Sequence, residues 1–255
     1  WNLMILAIIQ ARMSSMRLPG KVMLDLMGKP VLHHIVDRVR KSKHIDTISV
    51  ATTDSSADDR LAAFVRKELK CDLFRGSEDD VLSRFYHCAR RYPCRWVGRV
   101  TADDPLKAPE IIDTAIERVL AAPDLDYCSN TLTPTYPEGI DIEVFSFTAL
   151  ERAHKEAALA SEREHVTPYI WNHPKLFKIS SFQNAEDLSA WRWTLDGPED
   201  FDFIKAVYHQ FYIGESYFPY QQVVDFIRRN PHLRAINAGT VRNEGYIQSL
   251  KREAP

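Results

Sequence analysis

The spacing of hydrophobic positions along the chain predicts alternating strands and helices. Short apolar runs at 4–10, 46–53, 71–74 and 95–101 have the length of buried strands. Between and after them, apolar residues recur at helical spacing in 31–42, 56–69, 81–91 and 109–121. Strands and helices in this alternation favour a parallel sheet with helices on both faces, so we expect an α/β fold.

The pattern changes after residue 130. A turn-rich stretch at 133–139 leads into alternating apolar and polar positions at 140–147, which are typical of an exposed or antiparallel strand. Helical segments follow at 147–157 and 162–172, then strands at 176–182 and 191–196, and helices from 198 and at 219–229. We predict one domain over 4–255, with 130–185 as an arm or lid inserted in it.

Composition narrows the class of protein. A chain of 255 residues that is 45% hydrophobic can bury one large core. Its net charge of −2 provides no general attraction to nucleic acid, and its four cysteines show no metal-ligand spacing. We read no signal peptide and no apolar run of membrane-spanning length. We therefore expect a cytoplasmic protein with neither nucleic acid nor membrane as its partner.

Positive charge is concentrated near the first strand. Residues 10–43 contain 8 Lys or Arg against 2 Asp, and Arg12, Arg17 and Lys21 lie in the loop directly after the strand. Backbone N–H groups of a tight loop, together with such charges, can hold a polyphosphate. The loop has neither the GxxxxGK[ST] nor the GxGxxG pattern, so two common nucleotide-binding classes lose most of their support.

Two aspartates follow predicted strands in distant parts of the chain. Asp103 comes after strand 95–101, and Asp196 ends strand 191–196. Ligands of open parallel sheets bind at the carboxyl ends of strands, and Mg²⁺ takes one or two carboxylates together with phosphate oxygens and water. Each aspartate alone is also explained by a helix cap or turn. Together with the basic loop, they predict a site for a metal and a triphosphate, where Arg12 and Lys21 stabilise a leaving pyrophosphate.

Several motifs resemble one enzyme family. Residues 9–21 (IQARMSSMRLPGK) resemble the signature loop of the cytidylyltransferases that activate acidic sugars, the acylneuraminate and KDO enzymes. Segments 28–32, 51–54, 101–105 and 195–200 fall where that family has its later motifs. Residues 74–84 (FRGSEDDVLSR) and 163–169 (REHVTPY) resemble more narrowly the branch named for spore-coat polysaccharide biosynthesis.

The resemblance implies a Rossmann-like, GT-A-like nucleotidyltransferase with a mixed, mainly parallel sheet and a small dimerisation arm. Such an enzyme would transfer CMP from CTP to a sugar with Mg²⁺, release pyrophosphate and form a homodimer. On matching positions, Arg12 and Lys21 would hold phosphates, and Asp103 and Asp196 would hold the metal. The other nucleotide-binding positions would be Gln10, Ala11, Ser14, Ser15, Arg17, Thr53, Ser77 and Arg84.

The sequence says less about which residues contact the acceptor sugar. Asp141 and Glu143 would point to the same side of a strand and could meet the sugar, although plain solvent exposure explains them as well. His165 is a third candidate that packing alone would also explain. The chain departs from the KDO enzymes at 77–84 and from the neuraminate enzymes at 14–17, so the identity of the sugar stays open.

Two other functions remain as alternatives. A metal-dependent GT-A glycosyltransferase that uses a nucleotide sugar would need a strand-end aspartate too, but less positive charge, because a diphosphate carries less charge than a triphosphate. A non-catalytic relative that senses nucleotides would keep the fold, although the presence of both Asp103 and Asp196 argues against it.

Overall fold

A seven-stranded sheet forms the centre of the protein, with strand order β5-β4-β1-β6-β8-β7-β9. The computed structural model describes residues 4–15, 17–214 and 216–253. In chain order the strands are β1 (Met4–Gln10), β2 (Asp25–Leu26), β3 (Lys29–Pro30), β4 (Thr47–Thr53), β5 (Asp72–Gly76), β6 (Cys94–Thr101), β7 (Tyr127–Ser129), β8 (Glu143–Ser146) and β9 (Ile179–Ser181).

Helices cover both faces of this sheet. They are α1 (Val31–Val39), α2 (Asp59–Phe64), α3 (Val81–Ala89), α4 (Pro109–Ala121), α5 (Phe147–Glu156), α6 (Ala160–His165), α7 (Pro168–Trp171), α8 (Pro198–Phe211), α9 (Tyr220–Arg229) and α10 (Glu244–Glu253). A π-helical turn, Val65–Leu69, continues α2. No helix in the described ranges is long and apolar enough to cross a membrane.

The alternating apolar side chains of β1 separate two parts of the core. Ile5, Ala7 and Ile9 belong to the cluster that includes α1 and α4. Leu6 and Ile8 belong to the cluster that includes α3 and α5. Because β1 pairs in parallel with both β4 and β6, its carboxyl end and theirs meet at one edge of the sheet, where the basic loop begins.

The first half of the chain follows the predicted order of strands and helices, and α4 has the predicted bounds. The antiparallel direction expected at 140–147 is confirmed in β8, which pairs with β6 and β7. Its expected exposure is wrong, since all four residues of β8 are buried. Within 130–185, both β8 and β9 belong to the central sheet. An arm that contacts a second copy stays a prediction for the rest of that segment.

Other differences arise where local patterns are weak. Residues 191–196 were expected as a strand, but they form an extended segment with a single bridge, Glu138 to Arg192. The hairpin of β2 and β3 was not predicted; its turn uses positive φ at Met27 and Gly28. Helix α10 was not predicted either, although Tyr246, Ile247 and Leu250 lie on one side of it at helical spacing.

Candidate active site

The loop after β1 is fixed to the rest of the protein near both ends. The Ala11 amide donates to the Ala51 carbonyl (3.1 Å), and the Gly20 amide donates to the Met13 carbonyl (3.0 Å). The Met13 amide donates to Asp58 Oδ1 at 2.7 Å. Asp58 is buried, and its second oxygen accepts from the hydroxyls of Thr52 and Thr53. These hydrogen bonds therefore hold the backbone of the loop against β4 and Asp58.

Lys21 joins the two predicted aspartates. Its Nζ donates to Asp103 Oδ2 at 2.9 Å, to Asp196 Oδ1 at 2.8 Å and to the Leu195 carbonyl at 2.8 Å. Only 12% of the lysine side chain is exposed. Residues that are 82 and 175 positions from Lys21 thus converge on one ammonium group.

Electrostatic interactions favour the charged forms of Lys21 and Asp103. Burial acts to lower the pKa of Lys21, but the carboxylates of Asp103 and Asp196 outweigh it and raise that pKa above its usual value. Burial acts in the opposite sense on Asp103, and there the Lys21 ammonium brings the carboxyl pKa below its usual value.

Backbone contacts explain why the two carboxylates meet. The Leu195 amide donates to the Asp103 carbonyl at 2.7 Å, so the 191–196 segment lies against the turn after β6. Gly139, at φ +102°, approaches the same segment from the other side, and a Cβ there would lie 2.7 Å from the Trp193 carbonyl carbon. Asp196 therefore reaches the site although no strand carries it.

Arg192 organises the acidic side of the site. Its guanidinium contacts Asp196 Oδ2 (2.8 Å), Asp200 Oδ1 (2.9 Å) and Glu138 Oε2 (2.6 Å). Burial lowers the pKa of Arg192, but these carboxylates outweigh burial and raise it. Asp200 in turn accepts from the amides of Asp196 and Gly197, both at 2.9 Å, at the start of α8. We did not anticipate Arg192 or Asp200, although an arginine between two tryptophans is a signal of a buried ion pair.

A second group of predicted residues lies on the other side of the loop. Glu78 accepts from the Ser14 hydroxyl (2.7 Å), and its carboxylate lies 3.8 Å from Arg12. Arg84 is buried and donates from Nη1 to the Ser77 carbonyl at 2.6 Å, while its Nε has no partner within the described ranges. Burial, with a contribution from Arg12, lowers the pKa of Arg84 to about 10. Glu78 therefore joins Arg12 to Ser14, and Arg84 lies against Ser77; their contact with a nucleotide stays a prediction.

Thr53 and Ser15 support the loop in this structure. The Thr53 hydroxyl bonds to Asp58, and the Ser15 hydroxyl accepts from the Leu18 amide at 3.4 Å. Arg17 takes a different position from Arg12: its guanidinium lies 3.1 Å from Asp196 and 2.6 Å from Glu244. Gln10, at the end of β1, accepts through its side-chain oxygen from Arg99 at 3.0 Å.

Of the three acceptor-side candidates, Glu143 and His165 both interact electrostatically with Arg99. Glu143 is buried and bonds to Arg99, to the Tyr127 hydroxyl (2.6 Å) and to Thr167. Asp141 lies outside β8 and forms an ion pair with Arg242.

His165 lies under α10, with its Nε2 3.0 Å from the Ser249 hydroxyl and its ring against Tyr246. Burial lowers the pKa of His165 to about 4, so the ring is neutral at neutral pH.

Comparison with known protein families gives a match over most of the chain. The family model described as "Cytidylyltransferase" matches residues 6–223. The chain belongs to the cytidylyltransferase family. The spore coat polysaccharide biosynthesis protein SpsF of Bacillus subtilis is 36% identical over 236 residues, covering 89% of this chain and 95% of that protein.

Two further relatives extend the comparison. A 3-deoxy-manno-octulosonate cytidylyltransferase of Anaeromyxobacter sp. (strain K) is 30% identical over 218 residues, covering 79% of this chain and 84% of that protein. The solved structure of a cytidylyltransferase from Leptospira borgpetersenii superposes with a TM-score of 0.87 at 30% identity, covering 94% of this chain and all of that one. The family, its spore-coat branch and the nucleotidyltransferase fold predicted from the motifs are confirmed.

The donor set of this cytidylyltransferase suits a hard cation. The described ranges contain no group of three or more His, Cys, Asp and Glu side chains placed to hold a metal. Asp103 and Asp196 supply two carboxylates, and both lie within hydrogen-bond distance of the same atom, Lys21 Nζ. Mg²⁺ needs only one or two carboxylates when phosphate oxygens and water complete its shell, so the residues present fit that ion.

Proposed function

We propose that this cytidylyltransferase transfers CMP from CTP to a sugar, an acidic sugar or sugar derivative, and releases pyrophosphate. The convergence of Lys21, Asp103 and Asp196 at the end of the basic loop is the observation that carries this proposal. The names of two relatives, one of spore-coat polysaccharide biosynthesis and one of octulosonate activation, support a sugar acceptor and a place in surface polysaccharide synthesis.

The basic loop would bind the triphosphate. Arg12 and Arg17 have 46% and 47% of their side chains exposed, so both are accessible to a ligand that enters from solvent. Lys21 would exchange one of its three hydrogen-bond acceptors for a phosphate oxygen and stabilise the charge that grows on pyrophosphate. Ser14, Ser15, Ser77, Thr53 and Arg84 would support or contact the nucleotide, with Gln10 and Ala11 beside the base.

Asp103 and Asp196 would hold Mg²⁺, which neutralises triphosphate charge when it is bound. The same two carboxylates keep Lys21 in place by direct hydrogen bonds. Arg192 and the backbone amides around Asp200 keep Asp196 oriented toward the loop. The protein therefore brings its charged groups to fixed positions before the acceptor attacks the α-phosphorus.

Asp141, Glu143 and His165 remain the acceptor-side residues of the proposal. Asp141 has 25% of its side chain exposed and can contact a sugar hydroxyl directly. Glu143 and His165 are covered by other residues, so they would act by holding Arg99 and α10.

We also propose a cytoplasmic homodimer in which part of 130–185 contacts the second copy. Leu132, Leu159 and Leu176 expose 37%, 53% and 41% of their surface in this segment, and an interface would cover such residues.

A screen for pyrophosphate release tests the reaction. Each of the four nucleoside triphosphates is incubated with Mg²⁺ and a panel of acidic sugars, neutral sugars and sugar phosphates, and Lys21→Ala protein serves as the control. We expect release with CTP and one class of acceptor, and none with the variant. If nucleotide sugars raise the melting temperature, while CTP neither raises it nor releases pyrophosphate, the proposal is overturned and a glycosyltransferase is favoured.

A further inference from the structure

Three consecutive residues near the end of the described chain contact three parts of the site. Arg242 forms an ion pair with Asp141 and donates to the Tyr136 carbonyl at 3.0 Å. The Asn243 amide donates to Glu138 Oε1 at 3.0 Å. Glu244 Oε2 lies 2.6 Å from Arg17 of the basic loop. All three follow residue 223, where the match to the family ends.

Helix α10 holds this tripeptide in position. The Ser249 hydroxyl donates to Glu164 at 2.7 Å, and the hydroxyl of Ser161 in α6 donates to Glu253 at 2.7 Å. Asn243 has a φ of 56°, a left-handed conformation that asparagine tolerates well, and it turns the chain into the helix. Glu244 then begins α10, where the helix N-terminus favours its negative charge.

Arg17 lies between two carboxylates, one on each side. Asp196 is 3.1 Å away and Glu244 is 2.6 Å away, and the second carboxylate comes from a segment that contacts no other part of the loop in the described ranges by hydrogen bond or ion pair. A triphosphate that entered the loop would need the same guanidinium. The carboxylate of Glu244 and the incoming phosphates therefore compete for Arg17.

We propose that Glu244 is a positioning residue of this site: it holds Arg17 while the loop is empty and gives it up when a triphosphate binds. The inference rests on the proposed function in one respect, that the ligand of the loop is CTP. Arg242 and Asn243 set the position of Glu244. The segment that contains them therefore contributes to nucleotide binding, in addition to packing against α6.

This competition predicts the direction in which nucleotide affinity changes when Glu244 is substituted. Removal of the Glu244 charge frees Arg17 and removes a repulsion toward the phosphates, so nucleotide binding should tighten. Arg17 and Glu244 have 47% and 37% of their side chains exposed, and solvent weakens such a pair. We therefore expect a gain in affinity of roughly threefold, which shrinks when salt shortens the range of the interaction.

Calorimetric titration with CTP and Mg²⁺ tests this inference in five proteins: wild type, Glu244→Gln, Glu186→Gln, Arg17→Ala and the double variant of Arg17→Ala with Glu244→Gln. Glu186→Gln removes the same charge from another exposed pair with an arginine, Arg228, and is the matched control. We expect tighter binding with Glu244→Gln at low salt, less gain at 0.5 M salt and no gain with Glu186→Gln. In an Arg17→Ala background, the gain from Glu244→Gln should be smaller, because only the direct repulsion between Glu244 and the phosphates then remains to be removed.

The outcomes separate this inference from the proposed function. If wild type binds no CTP, the proposed function is wrong. If wild type binds CTP and Glu244→Gln binds it equally or more weakly, or gains as much without Arg17, the role of Glu244 is overturned. Glu244→Lys provides a second variant, and its affinity should rise further because a charge of the opposite sign then faces the phosphates.

Discussion

At the scale of single residues, the site depends on paired charges, some of them buried and the others partly buried. Lys21, Asp103 and Asp196 satisfy one another at 2.8–2.9 Å, and Arg192 satisfies Asp196, Asp200 and Glu138. A buried charge without such a partner costs far more than the pair itself stabilises. Substitutions here should keep hydrogen bonding when they are meant to test chemistry.

Asp103→Asn is such a substitution. Its amide oxygen can still accept from Lys21, so the melting temperature should stay close to that of wild type, but a neutral amide is a poor ligand for Mg²⁺. We expect turnover to fall roughly a hundredfold or more, measured by pyrophosphate release over a Mg²⁺ titration. Asp124→Asn, at an exposed pair with Lys178, is the control and should remain active. An active Asp103→Asn enzyme would show that the metal role is wrong.

At the scale of elements, close contacts between loops decide where the site residues meet. Gly139 is the clearest case, because it combines φ +102° with backbone atoms of Trp193 and Thr194 at 2.7 and 2.8 Å from the position of a Cβ. A side chain there must push the 191–196 segment, which carries Arg192 and Asp196, away from its place.

Gly139→Ala should therefore both destabilise and inactivate the protein. Gly239→Ala is the matched control, since Gly239 has φ +94° with open space around it. Positive φ alone should cost each variant about 1 to 3 kcal/mol of unfolding free energy, and steric contact should add about 1 kcal/mol or more to Gly139→Ala. Urea unfolding and pyrophosphate release measure the two effects. Equal losses in both variants would contradict the close approach.

His34 in α1 links that helix to the β2–β3 hairpin and makes stability depend on pH. Its Nε2 donates to the Leu26 carbonyl at 2.7 Å, and burial lowers its pKa from 6.5 to about 4. Between pH 6.5 and 4 the unfolded chain binds a proton that the folded chain does not. The free energy of unfolding should therefore be at its full value above pH 6.5 and decrease as the pH falls toward 4.

Urea unfolding of His34→Gln at pH 7.5 and pH 5 measures this contribution. The loss of stability between the two pH values should be smaller than in wild type, since glutamine does not titrate. His209→Gln, at an exposed position of α8, should keep the wild-type loss. If His34→Gln loses as much unfolding free energy between pH 7.5 and pH 5 as wild type does, other groups produce the pH dependence.

At the scale of the whole molecule, ligand binding should be visible as stability. A ligand that binds only the folded state at a hundred times its Kd adds about 2.7 kcal/mol to the free energy of unfolding. We expect CTP with Mg²⁺ to raise the melting temperature, EDTA to remove most of the gain, and Asp103→Asn to lose the difference between the two conditions. An equal gain with and without EDTA would contradict a metal held by Asp103.

The sequence alone determined the features that depend on local patterns. The spacing of apolar residues is a property of neighbouring positions, so the helices from 198 to 229 and, apart from the β2–β3 hairpin, the strands and helices of 4–121 were predicted. The basic loop could also be found, because its charges follow directly after β1. The family, the fold and the convergence of Asp103 and Asp196 on the loop were all accessible from residue types and motifs.

Tertiary structure alone decided which distant residues share a contact. Arg192 and Asp200 became partners of Asp196 through the packing of the 191–196 segment against Gly139, and Glu143 was buried because β8 lies between two strands. Helix α10 packs on α6 through polar contacts and through Tyr246, and this packing placed Glu244 beside Arg17, 227 positions away. Hydrogen bonds and ion pairs over such separations leave no period in the sequence, so only the folded chain reveals them.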